Sequence, residues 1–216
     1  MPAAKRPAGL REHKKRERER RILAAAGRLF GRKGCAETAM EDVARSAGIA
    51  VGTIYNYFRS KNDLLLAIVR RETERALEGG RQIAADPPAD PAEAVIALAR
   101  TFLDGFADEN RRLWRELLGA AIAQPRTLGK RLFESDLMLI SQMGSLLEVL
   151  RARGLVRADL DAAHAATALY AICFSVLTAY LMYDEISADA MRSEIGQGIR
   201  ILTRGLLPSA EPGGTS

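Results

Sequence analysis

Covalent and metal chemistry draw on a narrow set of side chains, and this chain of 216 residues is poor in them. Its two histidines are His13, in a basic N-terminal run, and His164, inside an alanine-rich stretch. No H-E-x-x-H, P-loop or G-x-G-x-x-G spacing occurs, and no Ser/His/Asp set can be assembled. Cys35 and Cys173 lie far apart with no C-x-x-C pair, which argues against a disulfide scaffold and for a reducing cytoplasm. Cys35 reads as an inert thiol rather than a redox sensor. The expectation is no enzyme, no metal and no cofactor. What remains is hydrogen-bonding chemistry, concentrated in "AGIAVGTIYNYFRSK", residues 47–61. Val51, Gly52 and Thr53 are small. Tyr55, Asn56 and Tyr57 carry hydroxyl and amide groups, and Arg59 and Lys61 close the stretch with positive charge.

Charge indicates what such a surface meets. Residues 1–77 hold 18 Lys/Arg against 9 Asp/Glu, a net of +9, whereas residues 78–216 hold 14 against 18, a net of −4. A basic first third on a mildly acidic remainder suggests a part that meets a polyanion and a part that does not. The basic N-terminus lacks the apolar stretch of a signal peptide. Residues 162–183 contain no Asp, Glu, Lys or Arg and are long enough to span a bilayer. Seven of them are alanine, acidic residues flank both ends, and no Lys or Arg anchors either edge. A buried core or interface helix is the expectation, with no membrane partner.

The elements that position these residues are helical almost throughout. A charged, then amphipathic helix is expected over about 11–33, ending at Gly34, with residues 1–10 a disordered basic tail. Thr38 and Glu41 read as a capping box for a short helix through about Ser46. Gly48 breaks it, and a second short helix follows over about 51–57. Ser60 caps a longer helix of about 61–83, with Asp63 in its first turn. "AADPPADP", 84–91, is a loop whose Asp90-Pro91 starts the next helix, about 91–108. Further helices are expected over about 110–123, 126–153, 161–184 and 188–206, with Gly154 as a stop and Ser187 as a start. The tail 208–216 reads as disordered. This is an all-α chain of about nine helices.

Residues 39–57 thus read as helix, tight turn, helix. Val43, Ala44, Ala47, Ile49, Ile54 and Phe58 supply a small core, with Leu29 and Phe30 from the first helix. The outer face of the second short helix is small at its start and hydrogen-bonding further along. A recognition helix needs this: its first turn approaches base edges while later side chains reach phosphates.

The run "GCAETAMEDVARSAGIAVGTIYNYFRSKNDLLLAIV", 34–69, resembles the N-terminal helix-turn-helix signature of the TetR/AcrR family of bacterial transcriptional repressors. Matching elements are Thr38, the "ED-V-A--AG" of helix two, the "G-T-I-Y-N-Y-F" of helix three and the "S-K---L" opening helix four. The chain departs from the pattern at Ala50, where the family usually places a Ser or Thr cap. The resemblance implies a DNA-binding domain over 11–77 and a ligand-binding and dimerisation domain over 78–207. It implies a homodimer on a palindromic operator in double-stranded DNA, released by a small-molecule inducer. It also implies phosphate contacts for Thr38, Tyr55, Tyr57 and Lys61, and base contacts for Val51, Gly52 and Thr53. Asn56 would either read an adenine edge or be solvated. Arg11, Lys14, Lys15, Arg16 and Arg18 would touch DNA or serve as a solubilising tail.

The rest of the chain adds its own signals. Ile195, Ile199, Leu202 and Leu206 form an apolar stripe, and Gly196 and Gly198 permit close helix approach. With the alanine-rich helix they suggest a four-helix dimer interface, the alternative being an intramolecular core. Phe102, Phe106, Trp114, Met138, Met143, Tyr170 and Phe174 are candidates to line an apolar ligand site, or simply to fill the core. Arg100, Arg112 and Arg115 are candidates to greet an anionic ligand. The single long helix of about 61–83 suggests a route by which ligand binding alters the DNA-reading part.

Overall fold

A computed structural model describes residues 8–106 and 110–206, with side chains from residue 12 onward. Among the described residues the chain is all-α, with no strand. Nine α-helices run in order: α1 Ala8–Lys33, α2 Met40–Ala47, α3 Val51–Ile54, α4 Lys61–Ala85, α5 Pro91–Leu103, α6 Arg111–Ala123, α7 Lys130–Ala152, α8 Ala162–Met182 and α9 Ala188–Arg204. A π-helical turn, Pro125–Gly129, precedes α7. The helix expected from residue 11 begins at Ala8, so part of the expected tail is helical. The expected tail 208–216 and the end of the helix expected to reach 108 lie outside the described residues.

Several helix ends follow from local side-chain chemistry. Ser60 Oγ accepts from the Asp63 amide at 3.2 Å, and the Asp63 carboxylate accepts from the Arg59 amide at 2.9 Å. Asp90 accepts from the Glu93 amide at 3.0 Å ahead of Pro91 at N1. Asp161 starts α8 by accepting from the His164 amide, and Ser187 starts α9 by accepting from the Ala190 amide, both at 3.1 Å. Each satisfies an amide that a helix start leaves orphaned. At the end of α7, Gly154 takes φ +70°, and the Leu155 amide returns to the Leu150 carbonyl at 3.0 Å.

The chain divides into two compact units. The first comprises Met1–Val69 and Glu109–Gly119. Its core is Ile22, Ala26 and Phe30 of α1, Val43 and Ala44 of α2, Ile54 of α3 and Leu64 of α4, all fully buried. The second unit comprises Arg70–Asp108 and Ala120–Ser216. Here α7 packs on α8, α8 on α9, and α5 on both α7 and α9. Val95, Leu146, Leu147, Leu150, Tyr180, Met191 and Ile199 are among its most buried side chains. A Cβ added to Gly198 would meet Ile172 at 2.9 Å, so glycine permits the close approach of α9 to α8.

Candidate functional site

The helix-turn-helix is assembled from α2, a turn at Gly48, and α3. Gly48 adopts φ +65°, where a side chain is disfavoured. Its amide bonds to the Arg45 carbonyl at 3.1 Å, and the Ile49 amide bonds to that of Ala44 at 3.0 Å. These bonds satisfy the end of α2 and reverse the chain. From α1, Arg21 Nη2 donates to the Ala47 carbonyl at 2.6 Å. A Cβ on Gly48 would meet that nitrogen at 2.8 Å.

Below the turn, Ile54 and Phe58 are buried and anchor α3 to the core. Above it, Val51 is 43% and Tyr55 44% exposed, and Gly52 and Asn56 are exposed. Thr53 and Tyr57 are half-buried. A Cβ on Gly52 would meet nothing within 4 Å, so packing within the chain does not require glycine there. The Tyr55 hydroxyl donates to Glu41 Oε1 at 3.3 Å. Desolvation, reinforced by the Glu41 charge, raises this phenol above its ordinary value.

The expected helix of 51–57 is shorter in the structure. α3 ends at Ile54, and 55–57 continue as a turn in which the Tyr57 amide bonds to the Ile54 carbonyl at 2.9 Å. Ala50 has the extended backbone of an N-cap but no side chain to accept a hydrogen bond. An uncapped start and Gly52 leave little intrinsic helix stability. α2 also starts differently from the expected Thr38–Glu41 box. Its N-cap is Ala39, whose amide donates to the Asp42 carboxylate at 3.4 Å. Asp42 also receives Lys33 Nζ at 2.6 Å, and these two bonds, Lys33 first, hold its carboxyl below the ordinary value.

Thr38 turns the other way. It is 1% exposed, and its hydroxyl donates to the Gly34 carbonyl at 2.6 Å. It belongs to a braced loop between α1 and α2. Lys61 Nζ donates to the carbonyls of Cys35 at 2.7 Å and Ala36 at 3.0 Å. The Cys35 amide donates to Glu116 Oε2 at 2.5 Å, and Arg112 reaches the Arg32 carbonyl at 3.3 Å. Gly34 sits at φ +90°, and a Cβ there would meet Glu116 Oε1 at 2.5 Å and Arg112 Nη2 at 2.7 Å. Glu116 is a bracing residue that reading the sequence missed, and Arg112, singled out there for an anionic ligand, pairs with Glu116 and braces the same loop. Their partners lie some 80 residues away, at a separation of 81 for Cys35–Glu116, where no local pattern points to them. Burial raises both thiols, that of Cys35 and that of Cys173, the latter to about 11, so neither is a ready thiolate.

The residues singled out for ligand and dimer contacts are distributed more widely. In the second unit, Phe102 and Phe106 meet edge-on with centroids 5.0 Å apart. Phe102 lies 6.4 Å from Tyr170, which stacks on Phe174 at 6.2 Å. Met143 is buried, and Met138 is 52% exposed on another face of α7. Trp114 falls in the first unit, where it is buried. Ile195 and Ile199 are buried within the protomer, while Leu202 and Leu206 are half-buried. The side of α9 facing solvent instead carries Ile201, 68% exposed. α8 is long and apolar enough to cross a membrane by length and composition, and 33% of its most apolar stretch is buried.

Comparison with known proteins places this architecture. Residues 22–68 match the model for bacterial regulatory proteins of the tetR family. The HTH-type transcriptional regulator EthR of Mycolicibacterium smegmatis is 38% identical over 90 residues, a stretch that takes in 42% of this chain and only 42% of EthR. The HTH-type transcriptional regulator UidR of Escherichia coli is 26% identical over 201 residues, covering 88% of this chain and 93% of UidR. SmeT, the repressor of the Stenotrophomonas maltophilia multidrug efflux pump SmeDEF, superposes with a TM-score of 0.70 at 20% identity, over 92% of this chain and 95% of its own. These relatives are transcriptional regulators, not enzymes. A sequence match centred on the helix-turn-helix, near full-length similarity to UidR and a shared fold along most of the chain lead to one conclusion: residues 22–68 are of the tetR regulatory type, and the chain as a whole resembles regulators of that family.

Proposed function

We propose that this protein is a cytoplasmic, dimeric transcriptional repressor that reads a palindromic DNA operator through α3 and is released from it by a small-molecule inducer. The observation that carries this reading is the edge of exposed Val51 and Gly52 and half-buried Thr53, held on a buried Ile54/Phe58 anchor with open space above Gly52. Base edges in a major groove demand such close approach. In this reading Val51, Gly52 and Thr53 face bases, Asn56 reaches an adenine edge, and Tyr55 and Tyr57 bond phosphates. Thr38 and Lys61 act by holding the α1–α2 loop, and Lys61 retains a donor for phosphate. Residues 11–77 are the DNA-reading part, and the basic residues at its start, Arg11, Lys14, Lys15, Arg16 and Arg18, add counterion release.

Residues 78–207 bind the inducer and the second protomer. The dimer face is the side of α8 and α9 left uncovered, including Ala168, Ala171, Ser175 and Ile201, with Leu202 and Leu206 at its edge. Ile195 and Ile199 back it from inside. Inducer contacts come from the Phe102, Phe106, Tyr170 and Phe174 cluster. SmeT has been captured with triclosan, which supports a small-molecule site in this architecture. α4 carries the chain from the DNA-reading part into the inducer-binding part, and coupling between the two ligands is reciprocal.

The test is selection from random DNA with the full-length protein at two salt concentrations. An enriched imperfect palindrome that is lost on Tyr57→Ala and weakens steeply with salt supports the reading. No enrichment from a folded, pure dimer overturns it.

A further inference from the structure

Asp136 lies on α7 facing Tyr170 of α8, whose hydroxyl donates to Asp136 Oδ1 at 2.6 Å. The carboxyl is largely desolvated, and its one recorded partner is this neutral phenol. The nearby cations of α7 are engaged elsewhere: Lys130 lies 3.9 Å and Arg131 3.1 Å from Glu134. Among the described residues no Lys, Arg or His pairs with Asp136. Buried charge is normally matched by an opposite charge or a metal, and no group of metal-ligating residues exists among the described residues.

The surroundings of this carboxylate are aromatic. Tyr170 stacks on Phe174 with centroids 6.2 Å apart and an interplanar angle of 22°, and Phe102 approaches Tyr170 at 6.4 Å. The rings run from Phe106, 5% exposed, through half-buried Phe102 and Tyr170 to Phe174, 41% exposed. A cluster of rings that reaches solvent at Phe174, beside a carboxylate with no cationic partner among the described residues, has the chemistry of a cation site. Ring faces attract a cation through their quadrupole, and the carboxylate supplies the missing counter-charge.

Resting on the reading that this unit binds the inducer, we propose that Asp136, Tyr170, Phe174 and Phe102 form a site for an organic cation bearing aromatic or bulky apolar groups. The cationic centre sits between Asp136 and the faces of Tyr170 and Phe174, and the apolar part covers the ring strip. Burial raises both the Tyr170 hydroxyl and the Asp136 carboxyl above their ordinary values, so the phenol stays a donor and the pair gains from an incoming positive charge.

The test compares tetraphenylphosphonium with tetraphenylborate, two ions of the same shape and opposite charge. Binding to the full-length protein is measured by calorimetry without DNA at physiological ionic strength. Residues 78–216, which include the site, carry a net −4, so the diagnostic quantity is the part of the cation preference that Asp136→Asn removes. The phosphonium is expected to bind about tenfold or more tightly than the borate. Asp136→Asn, which keeps shape and an acceptor for Tyr170, should abolish most of that preference, and Tyr170→Phe should preserve it. Equal or tighter binding of the borate to the unaltered protein overturns the proposal, as does a folded Asp136→Asn protein with the preference intact. Release of selected operator DNA separates the two readings. Phosphonium binding through Asp136 that leaves DNA bound supports the cation site and removes its inducer role. Release by neutral or anionic compounds alone, with no cation preference, overturns the cation site and leaves the repressor reading standing.

Discussion

At the scale of single residues, Gly52 and Asp136 are both locally unfavourable. Gly52 sits inside a short helix with nothing near its missing side chain. Replacing it with alanine should therefore stabilise the protein by about 0.5–1 kcal/mol, because helix propensity rises and no clash follows. The same methyl would stand between α3 and the base edges, so operator affinity should fall about tenfold or more. Thermal melting and a DNA titration on Gly52→Ala measure the two effects, and unchanged DNA affinity would sink the close-approach argument. Asp136 gives a prediction in pH. Its carboxyl is raised because burial outweighs the Tyr170 hydrogen bond. The unfolded chain releases this proton near 3.8, and the folded chain releases it higher. Between those values the native state holds more protons, so this group's contribution to stability falls as pH rises through the window. Asp136→Asn should melt above the unaltered protein at neutral pH, and the gap should close as pH drops below 3.8. A gap that persists unchanged in acid would show that the ionised carboxylate is not its source.

At the scale of elements, α3 is the weakest link and α1 its support. α3 has an N-cap residue, Ala50, in cap geometry with φ −67° and ψ 145° but without a side-chain acceptor. Ala50→Ser supplies the acceptor, and about 1 kcal/mol of stability is expected from it. For a chain of this size that corresponds to a rise of about 2–4 °C in Tm. No change in Tm would mean that the orphan amides of α3 are already satisfied by solvent. The loop before α2 is held from four directions, by Thr38, Lys61, Glu116 and Arg112. Gly34 makes that convergence possible, because its φ of +90° and missing side chain leave room for the Glu116 carboxylate and the Arg112 guanidinium. Position and brace of α3 thus come from different elements: the Gly48 turn sets its direction, and α1 and α6 hold the loop and turn around it.

At the scale of the whole molecule, the basic first third and the apolar α8 serve different ends. Positive charge near α3 attracts DNA and makes its affinity salt-dependent. α8 leaves much of its apolar surface uncovered by its own chain, and Ile201 of α9 is likewise 68% exposed. In a two-fold dimer an exposed residue near the axis meets its own copy. Ile201→Glu should then place like charges and buried carboxylates in the interface and yield a monomer by light scattering. Losing the second reading helix should lower operator affinity about 100-fold, since the second contact is no longer intramolecular. A variant that stays dimeric and binds DNA normally would move the interface elsewhere.

The features legible in the sequence are those whose causes span a few residues. The caps at Ser60, Asp90 and Ser187 and the glycine turns at Gly34, Gly48 and Gly154 are local contests between backbone and nearby side chains. The helix-turn-helix with buried Ile54 and Phe58 was legible for the same reason, and the charge asymmetry needed only counting. Tertiary structure decided the rest. It brought Glu116 to the Cys35 amide and Arg112 to the Arg32 carbonyl, each across some 80 positions. It buried Ile195 and Ile199 inside the protomer and set Asp136 against Tyr170 across 34 positions. An apolar stripe declares that a face must be covered but not by which partner. A lone carboxylate on a helix declares nothing until a neighbouring helix removes its water. Local hydrogen bonding determined where this chain turns and caps its helices, and packing between distant segments decided what its side chains meet.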